Sequence, residues 1–366
     1  MTARPLRLGV IGLGKMAQTV HLPHVEETPG IELAAVCDLH RDVLDAVGER
    51  WRVAPGHRHL RHEDLLADAV DAVLVCNHHH APCVLAAIDA GRHVLVEKPL
   101  CWSPAEADAI VERARRAGVA VMVGYMRRYD PGFATAAEAV RRLDAPALAR
   151  FHDFAGGRHR AERLYRVVKP AAPSEEEREQ ERLRRAAMAD AVGGDDPGRL
   201  DVYRELTELC VHDLNMQRAL FGPPEAIEHA RSYDVGGRRY HHVAMRCAGG
   251  LRSAWEVAAA FTGVRDWDHH LAVYGTEGSV TARFASPFVR NAPTLVEERC
   301  VDGQRDVRRD VLSSYESPFA LELRHFADCV REGRPPLTGP EEARADLATM
   351  VELANRSVPS PSRGEG

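Results

Sequence analysis

The stretch Leu6–Ala17, with the sequence LRLGVIGLGKMA, decides the fold of the amino-terminal part of the chain. Its first six residues form an apolar strand that runs directly into the pattern G-x-G-x-x-A, and a helical stretch follows. In such a unit the first glycine permits a tight turn, the second lets the backbone approach a pyrophosphate, and the third small residue packs the helix on the sheet. The helix amino terminus adds amide donors and a positive dipole. We therefore predict that Gly12, Gly14, Lys15 and Met16 bind a dinucleotide.

The end of the second predicted strand bears on which dinucleotide is bound. Residues 31–37 are a predicted strand, and Asp38 follows it. An acid at this place hydrogen-bonds the adenosine ribose hydroxyls and repels a 2′-phosphate, which favours NAD as the cofactor. Two alternatives stay open. Arg41 is close enough in sequence to accommodate a 2′-phosphate, which leaves NADP possible, and Asp38 could instead cap the helix that begins near Arg41.

The alternation of strand and helix patterns continues through the first third of the chain. Apolar strand patterns cover residues 71–76, 92–96 and 119–123, and helical patterns lie between them. This order predicts an α/β fold with a doubly wound parallel sheet. We expect a Rossmann domain over residues 1–125 and a second, α+β domain over residues 126–356.

A charged pair and a proline follow the fourth predicted strand, in the segment Glu97–Lys98–Pro99. The pattern places Lys98 at the carboxyl end of a buried strand, where ligands bind in open α/β sheets. Lysine occurs only at positions 15, 98 and 169, whereas arginine is abundant. Because arginine serves as the ordinary cation of this chain, the few lysines are expected where a compact, titratable ammonium group is needed. The alternative is a solvated lysine that simply ends a strand.

The composition excludes several classes of partner. A formal net charge of −6 argues against a nucleic-acid or anionic-membrane partner, since either would require a basic face. No run of 18 apolar residues exists, so we expect no membrane span. The amino terminus leads at once into a strand, and we expect no leader peptide.

The cysteines and histidines do not form a metal-binding pattern. The eight cysteines contain no C-x-x-C pair and are predicted to be reduced core residues of a cytoplasmic protein. The consecutive residues His78, His79 and His80 cannot all face one ion in a regular element, and His57 and His59 lie in a polar connection. We predict no metal site.

The first part of the second domain differs from the rest in composition. Residues 155–205 are rich in charge and poor in apolar side chains. Within this insertion, Ser174 and Glu177 have the spacing of a capping box, and Glu181 is placed to pair with Arg185. The insertion is either a lid over the substrate or a solvated excursion. At the other end of the chain, residues 357–366 are rich in serine, proline and glycine and are predicted to be disordered.

A helix predicted over residues 202–221 carries a candidate general base. Its leucines form one side, whereas Glu205, Glu208, His212 and Asn215 fall three and four residues apart and share the other side. A histidine backed by a carboxylate one turn earlier is suited to proton abstraction. The alternative is a helix surface with ordinary polar residues. Alternating strands after this helix predict a mostly antiparallel sheet with one open face.

Several motifs together resemble those of the Gfo/Idh/MocA family of oxidoreductases, over nearly the whole chain. The matching segments are the glycine loop, the N-x-x-H motif of Asn77 and His80, the run Ala90–Val94, the E-K-P signature Glu97–Pro99, the G-F-x-x-R-F-x-P-like run Gly124–Pro131 and the turn Gly275–Ser279. Two departures are visible. The usual Thr-Pro before Asn77 is Val75–Cys76, and in the D-x-G-x-H-x-x-D pattern Glu208, Cys210 and Asn215 replace the family residues around His212.

The resemblance implies roles for individual residues. The E-K-P lysine, Lys98, and the histidine of the second domain, His212, would flank the substrate hydroxyl beside the nicotinamide, with Glu208 assisting the histidine. Asn77, His80, Glu97 and Lys98 would contact the cofactor. The substrate would be held by Lys98, Arg128, Tyr129, Glu208 and His212. The open sheet face would pair subunits into a homodimer or homotetramer.

These features predict an NAD(P)-dependent dehydrogenase for a secondary alcohol of a sugar, sugar derivative, aminosugar or cyclitol. Two other functions stay open. One is a glycosidase of the same fold, which uses NAD transiently without net redox change. The other is a sensor that binds a dinucleotide without turnover, although the presence of both Lys98 and His212 speaks against it.

Overall fold

The structure, a computed structural model, describes residues 4–156, 164–261 and 267–359. The chain forms two compact units. The first unit comprises Met1–Tyr125, Tyr165–Asp195 and Phe319–Ala348, and the second comprises Met126–Leu164, Asp196–Pro318 and Thr349–Gly366. The first segment of the first unit ends at Tyr125. The other two segments of the first unit come from sequence that we assigned to the second domain.

The strands of the described residues are β1 (Leu6–Ile11), β2 (Ile31–Cys37), β3 (Arg58–His59), β4 (Ala72–Val75), β5 (His93–Glu97), β6 (Val121–Gly124), β7 (Leu148–Gly156), β8 (Ala226–Val235), β9 (Arg238–Arg246), β10 (Arg252–Phe261), β11 (Trp267–Tyr274), β12 (Gly278–Phe284), β13 (Leu295–Asp302), β14 (Arg305–Leu312) and β15 (Val358–Pro359). The α-helices are α1 (Leu22–Glu27), α2 (Arg41–Arg50), α3 (His62–Ala67), α4 (His80–Asp89), α5 (Pro104–Ala117), α6 (Pro131–Arg141), α7 (Glu175–Val192), α8 (Pro197–Glu205), α9 (Val211–Phe221), α10 (Pro318–Glu332) and α11 (Pro340–Arg356). Single π-helical turns cover Ala17–His21 and Leu206–Cys210.

The first unit contains a six-stranded parallel sheet in the order β3-β2-β1-β4-β5-β6. Strands β1, β4 and β5 are almost wholly buried, because helices cover both faces of a doubly wound sheet. The chain order reverses between β1 and β4, and ligands bind outside the carboxyl ends of the strands at such a reversal. The predicted Rossmann sheet is confirmed, with the short edge strand β3 as an addition.

Residues 165–195 of the charged insertion belong to the first unit. Ser174 caps α7 by accepting a hydrogen bond from the backbone N–H of Glu177. The predicted capping box is only half formed, because the Glu177 carboxylate contacts His40 of the first unit instead of the cap. Glu181 pairs with Arg184, three residues away, and not with Arg185 as predicted. The part of the insertion at residues 157–163 lies outside the described residues.

The second unit contains a nine-stranded sheet in the order β14-β13-β12-β11-β7-β10-β9-β8-β15. Its neighbours are antiparallel except for β7 with β10 and β15 with β8. Along β7 the residues Ala149, Phe151 and Asp153 are buried, whereas Arg150 and His152 on the other face are partly exposed. This alternation follows from the two-residue period of a strand and confirms the predicted sheet with one open face.

Three predictions need correction in the second unit. The predicted single helix over residues 202–221 is α8 and α9 with a π-helical turn between them. The hairpin of β13 and β14 is absent from the prediction. The tail is ordered at its start, because Ser357 is buried and β15 pairs with β8, whereas residues 360–366 lie outside the described part of the chain.

All eight cysteines are free thiols, as predicted. Cys300 is exposed, so the expectation that they are all core residues is wrong at this position. Within the described ranges, the helices are all too short or too polar to cross a bilayer.

Candidate active site

The glycine loop has the shape that a bound pyrophosphate requires. Gly12 has a φ of 88°, and a Cβ atom there would lie 2.6 Å from the backbone nitrogen of Asn77. At Gly14 a Cβ atom would meet nothing within 4 Å, which shows open space beside the backbone. Lys15 and Met16 are half-buried at the start of the helical run. The loop therefore combines an obligatory glycine at the turn with an accessible backbone at the second glycine, and the residues present fit the dinucleotide.

Asp38 is fixed at the end of β2 by two backbone hydrogen bonds. The N–H of Leu13 donates to Oδ2 at 2.8 Å, and the N–H of His40 donates to Oδ1 at 2.9 Å. Burial raises the pKa of Asp38 above its ordinary value, and these backbone hydrogen bonds oppose the rise. Because a carboxylate oxygen can accept more than one hydrogen bond, Asp38 can still accept from ribose hydroxyls.

Asn77 lies on the loop between β4 and α4, and His80 is the first residue of α4. The Nδ1–H of His80 donates to the carbonyl oxygen of Pro99 at 2.5 Å, and burial lowers the pKa of His80 to about 4. His80 is therefore a neutral donor that holds the segment after Lys98. Asn77 donates to the carbonyl of His79, and its buried Oδ1 has no hydrogen-bond partner among the described residues. That oxygen is a buried acceptor whose hydrogen-bonding capacity is unused by the described residues.

We expect His80→Asn to reduce the acid sensitivity of folding. The unfolded imidazole gains a proton as the pH falls below its ordinary pKa of 6.5, whereas buried His80 stays neutral down to about 4. Stability from the neutral ring is thus fully present above the unfolded pKa and is lost as the pH falls toward the folded pKa. Asparagine keeps an amide donor for Pro99 and does not titrate.

Urea unfolding at about pH 7 and about pH 4.5 measures this difference. Between these two pH values the free energy of unfolding of the wild type should fall by about 2 kcal/mol more than that of His80→Asn. The exposed neighbour His78 provides the control, since His78→Asn should behave like the wild type. Equal pH dependence of His80→Asn and the wild type would contradict a buried neutral ring.

The backbone of Lys98 is held by its neighbour Glu97. On the amino side, Glu97 is 7% exposed, and its Oε1 lies 2.6 Å from Nε2 of His21 while its Oε2 accepts from the N–H of Lys98 at 3.1 Å. Burial opposes ionisation of Glu97, but the hydrogen bond and charge of His21 hold its pKa below the ordinary value. On the carboxyl side, the Lys98–Pro99 peptide bond is cis. The Lys98 side chain itself is half-buried.

Glu322 is a buried acid in the first unit that the sequence analysis missed. It is 0% exposed, and both carboxyl oxygens are without a hydrogen-bond partner in the described ranges. Burial, and then the charge of Glu97, raise the pKa of Glu322 well above its ordinary value. A signal was available, because position 322 falls on the apolar side of α10 together with Phe319, Leu323 and Phe326.

In the second unit, Arg128 lies beside the helix that carries the candidate base. Arg128 belongs to the short helical turn Met126–Tyr129, and its Nη1 donates to Oδ1 of Asn215 at 3.0 Å. Asn215 is buried on α9, and Tyr129 is 9% exposed. The structure thus places the two predicted substrate-binding residues of this turn, Arg128 and Tyr129, next to the helix of His212.

Glu208 and His212 occupy a less regular helix than we predicted. Glu208 lies within the π-helical turn Leu206–Cys210, and His212 is the second residue of α9. A π-helical turn is wider than an α-helical one, which changes the angular offset between the two residues, and such turns are frequent at functional sites. Both side chains are half-buried, and Oε2 of Glu208 lies 4.0 Å from Nη1 of Arg204.

A buried pair next to His212 also escaped the sequence analysis. Nε2 of His269 lies 2.9 Å from Oδ1 of Asp213, and both side chains are almost fully buried. Burial raises the pKa of Asp213 and lowers that of His269, so the two groups share a hydrogen bond as a neutral pair. Because Asp213 directly follows His212, this hydrogen bond fixes the start of α9 to β11.

Three groups in the described ranges combine histidine and aspartate side chains with ligand atoms close together: His57, His59 and Asp68; His152, Asp268 and His270; and Asp153, Asp213 and His269. In the first group both imidazoles contact the same oxygen, Oδ2 of Asp68, at 2.9 and 2.7 Å. Hydrogen bonding explains that arrangement without an ion.

The chain matches a known family in both units. Residues 6–125 match the NAD-binding Rossmann fold of the Gfo/Idh/MocA oxidoreductase family, and residues 205–359 match the C-terminal alpha/beta domain of the same family. Relatives of similar length include the scyllo-inositol 2-dehydrogenase (NAD(+)) of Bacillus subtilis, which is 25% identical over 96% of this chain and 93% of its own. An inositol 2-dehydrogenase of Cereibacter sphaeroides is 40% identical, over 39% of this chain and 43% of its own.

Solved structures show the same fold at lower identity. The 3-ketoreductase KijD10 of Actinomadura kijaniata, determined with NADP, superimposes with a TM-score of 0.74 at 19% identity over 98% of this chain and 100% of its own. The aldose-aldose oxidoreductase of Caulobacter crescentus gives a TM-score of 0.72 at 21% identity over 96% of this chain and 98% of its own. With both domains matched, the chain belongs to the Gfo/Idh/MocA oxidoreductase family, and it is an NAD(P)-dependent oxidoreductase that acts on CH–OH groups.

Proposed function

We propose that this protein is an NAD-dependent dehydrogenase that oxidises a secondary alcohol of a sugar, sugar derivative, aminosugar or cyclitol, or reduces the corresponding ketone. Two relatives that align over more than nine-tenths of the chain are inositol dehydrogenases, which supports a polyhydroxylated ring as substrate. The observation that carries the proposal is the setting of Lys98. Its backbone is held by buried Glu97 and by the segment that His80 anchors, at the carboxyl end of β5.

Lys98 would donate a hydrogen bond to the reacting oxygen. As the alcohol loses its proton and becomes a ketone, negative charge develops on that oxygen, and a fixed ammonium stabilises it. Lysine suits this task because its ammonium is a compact charge with three donors. The anchored backbone supports the assignment, since a positioned donor needs no reorganisation during the reaction.

His212 would take the hydroxyl proton, with Glu208 setting its orientation and basicity. The hydrogen bond between Asp213 and His269 supports this role, because it fixes the first turn of the helix on which His212 stands. Arg128 and Tyr129, beside the same helix, would hold further substrate hydroxyls.

The cofactor would be held by the residues of the first unit. Gly12, Gly14, Lys15 and Met16 would contact the pyrophosphate, Asp38 the adenosine ribose, and Asn77, His80, Glu97 and Lys98 the nicotinamide half. When bound, NAD would accept the two electrons of the oxidation as a hydride. The negative charge of Asp38 supports NAD over NADP.

We also propose a cytoplasmic homodimer or homotetramer formed through the open face of the nine-stranded sheet. Leu148 and Tyr274, which pair across β7 and β11 on that face, are 40% and 42% exposed. An apolar cross-strand pair of this kind favours a covering partner. Light scattering after gel filtration tests the assembly, and a monomer would contradict it.

Screening a panel of sugars and cyclitols with NAD+ tests the activity directly. We expect the enzyme to form reduced cofactor, which is measured by its absorbance. It should do so with at least one cyclitol or sugar of the panel that carries a free secondary hydroxyl. Release of an aglycone from a glycoside with no accumulation of reduced cofactor would instead indicate a glycosidase and overturn the proposal.

A further inference from the structure

Two side chains of the cofactor-binding part of the first unit form hydrogen bonds with the backbone of the insertion. The side-chain amide of Gln18, one turn after the glycine loop, donates to the carbonyl of Val168 and accepts from the N–H of Val168, both at 2.8 Å. The N–H of Ala171 donates to Oδ2 of Asp42 at 3.2 Å. Gln18 is 3% exposed and Val168 is half-buried, so their contact is partly buried. Residues 168–171 of the insertion are therefore fixed between the glycine loop and α2.

The first turn of α7 reaches the adenosine end of the predicted dinucleotide site. Oε2 of Glu177 lies 3.0 Å from Nε2 of His40, whose side chain is 12% exposed. The backbone N–H of the same His40 donates to Asp38 at 2.9 Å. His40 thus lies between Glu177 and Asp38 and contacts both. After burial, the charge of Glu177 is a smaller contribution to the raised pKa of Asp38.

Arg41, the arginine nearest to Asp38 in the sequence, contacts a residue of its own helix, α2. Nη1 of Arg41 lies 3.8 Å from Oδ1 of Asp45, one turn further along α2. A 2′-phosphate on an adenosine ribose bound by Asp38 would lie close to two carboxylates, those of Asp38 and Glu177, and to the imidazole of His40, which Glu177 contacts.

We propose that Glu177, contributed by the insertion, is a second acidic determinant of the adenosine site and selects NAD over NADP. The proposal rests on the proposed role of Asp38 in binding the ribose. Asp38 would accept hydrogen bonds from the ribose hydroxyls, and Glu177 would act by charge on a 2′-phosphate without touching NAD. At an effective dielectric between about 40 and about 80, which suits a solvated site, a unit charge about 7 Å from a phosphate changes the Kd by about three- to tenfold.

Equilibrium binding of NAD+ and NADP+ to the full-length protein, measured by titration calorimetry without substrate, tests this inference. In Glu177→Gln we expect the Kd for NADP+ to fall by about three- to tenfold and the Kd for NAD+ to stay within about twofold. Glutamine keeps a hydrogen-bonding partner for His40, and the helix cap is unaffected, because the cap uses the backbone N–H of residue 177. Glu177→Lys should shift NADP+ binding further in the same direction.

Glu179→Gln is the matched control. It removes the same charge from the same helix turn, but Glu179 pairs with Arg182 on the solvent side, so both Kd values should stay at those of the wild type. An unchanged NADP+ to NAD+ ratio in both Glu177 variants, or an equal shift in Glu179→Gln, would overturn the role of Glu177. Failure of the wild type to bind either dinucleotide would instead contradict the cofactor site itself.

Discussion

Lys98→Ala is expected to lose at least about a thousandfold in kcat while its Kd for NAD+ stays within about threefold of the wild type. The ammonium is proposed to bind the reacting oxygen where charge develops, so its removal costs transition-state stabilisation and leaves cofactor contacts to the glycine loop and Asp38. Stopped-flow or steady-state assays with the best panel substrate give kcat, and calorimetry gives the Kd.

The chain offers a matched control for this variant. Lys169, the third lysine, is exposed, and Lys169→Ala should retain wild-type kcat. Lys98→Arg should remain strongly impaired although it keeps the charge, because a planar guanidinium does not replace a compact ammonium. Near-normal turnover of Lys98→Ala would remove Lys98 from the chemistry.

His212→Ala is expected to lose about a hundred- to ten-thousandfold in kcat/KM, the range that general base catalysis contributes. In the wild type, kcat/KM should fall on the acid side as the base becomes protonated and cannot accept the substrate proton. That acid limb should disappear in the variant, and its residual rate should rise with pH because hydroxide then removes the proton. A pH–rate profile of both proteins measures the change.

Two further variants separate a base from a structural histidine. Glu208→Gln should lose less kcat/KM than His212→Ala. It should shift the acid side of the pH profile of kcat/KM without abolishing it, because Glu208 is proposed to act through the imidazole. His242, exposed on β9, is the control, and His242→Ala should keep the wild-type profile. An acid limb that persists unchanged in His212→Ala would assign the base to another residue.

The elements that could be predicted from the sequence are those with strong local signals. Strand β1 and the glycine loop could be predicted because the backbone conformation of the loop requires a glycine at position 12, where φ is 88°. The hairpin of β13 and β14 was missed because most of its residues are exposed, so it lacks the alternation of a half-buried sheet. Cross-strand charge pairs join it instead, such as Arg308 with Glu297 at 2.9 Å.

The candidate site was only partly predictable for a different reason. Lys98 and His212 stand in short motifs, whereas the groups that support them come from far along the chain. Glu322 lies more than two hundred residues after Glu97, whose charge contributes to its raised pKa, and His269 reaches Asp213 from another strand. The contact of Glu177 with His40 spans 137 residues. Pairings of this kind arise from tertiary packing, which no local pattern encodes.

Deuterium transfer tests the central claim, oxidation of a carbinol by NAD, most directly. The panel substrate that reduces NAD+ fastest is prepared with deuterium on its carbinol carbons and incubated with enzyme and NAD+, and the reduced cofactor is analysed by mass spectrometry. The account predicts one deuterium in each reduced cofactor and one ketone formed with it. Loss of deuterium to water with no net reduced cofactor would contradict it.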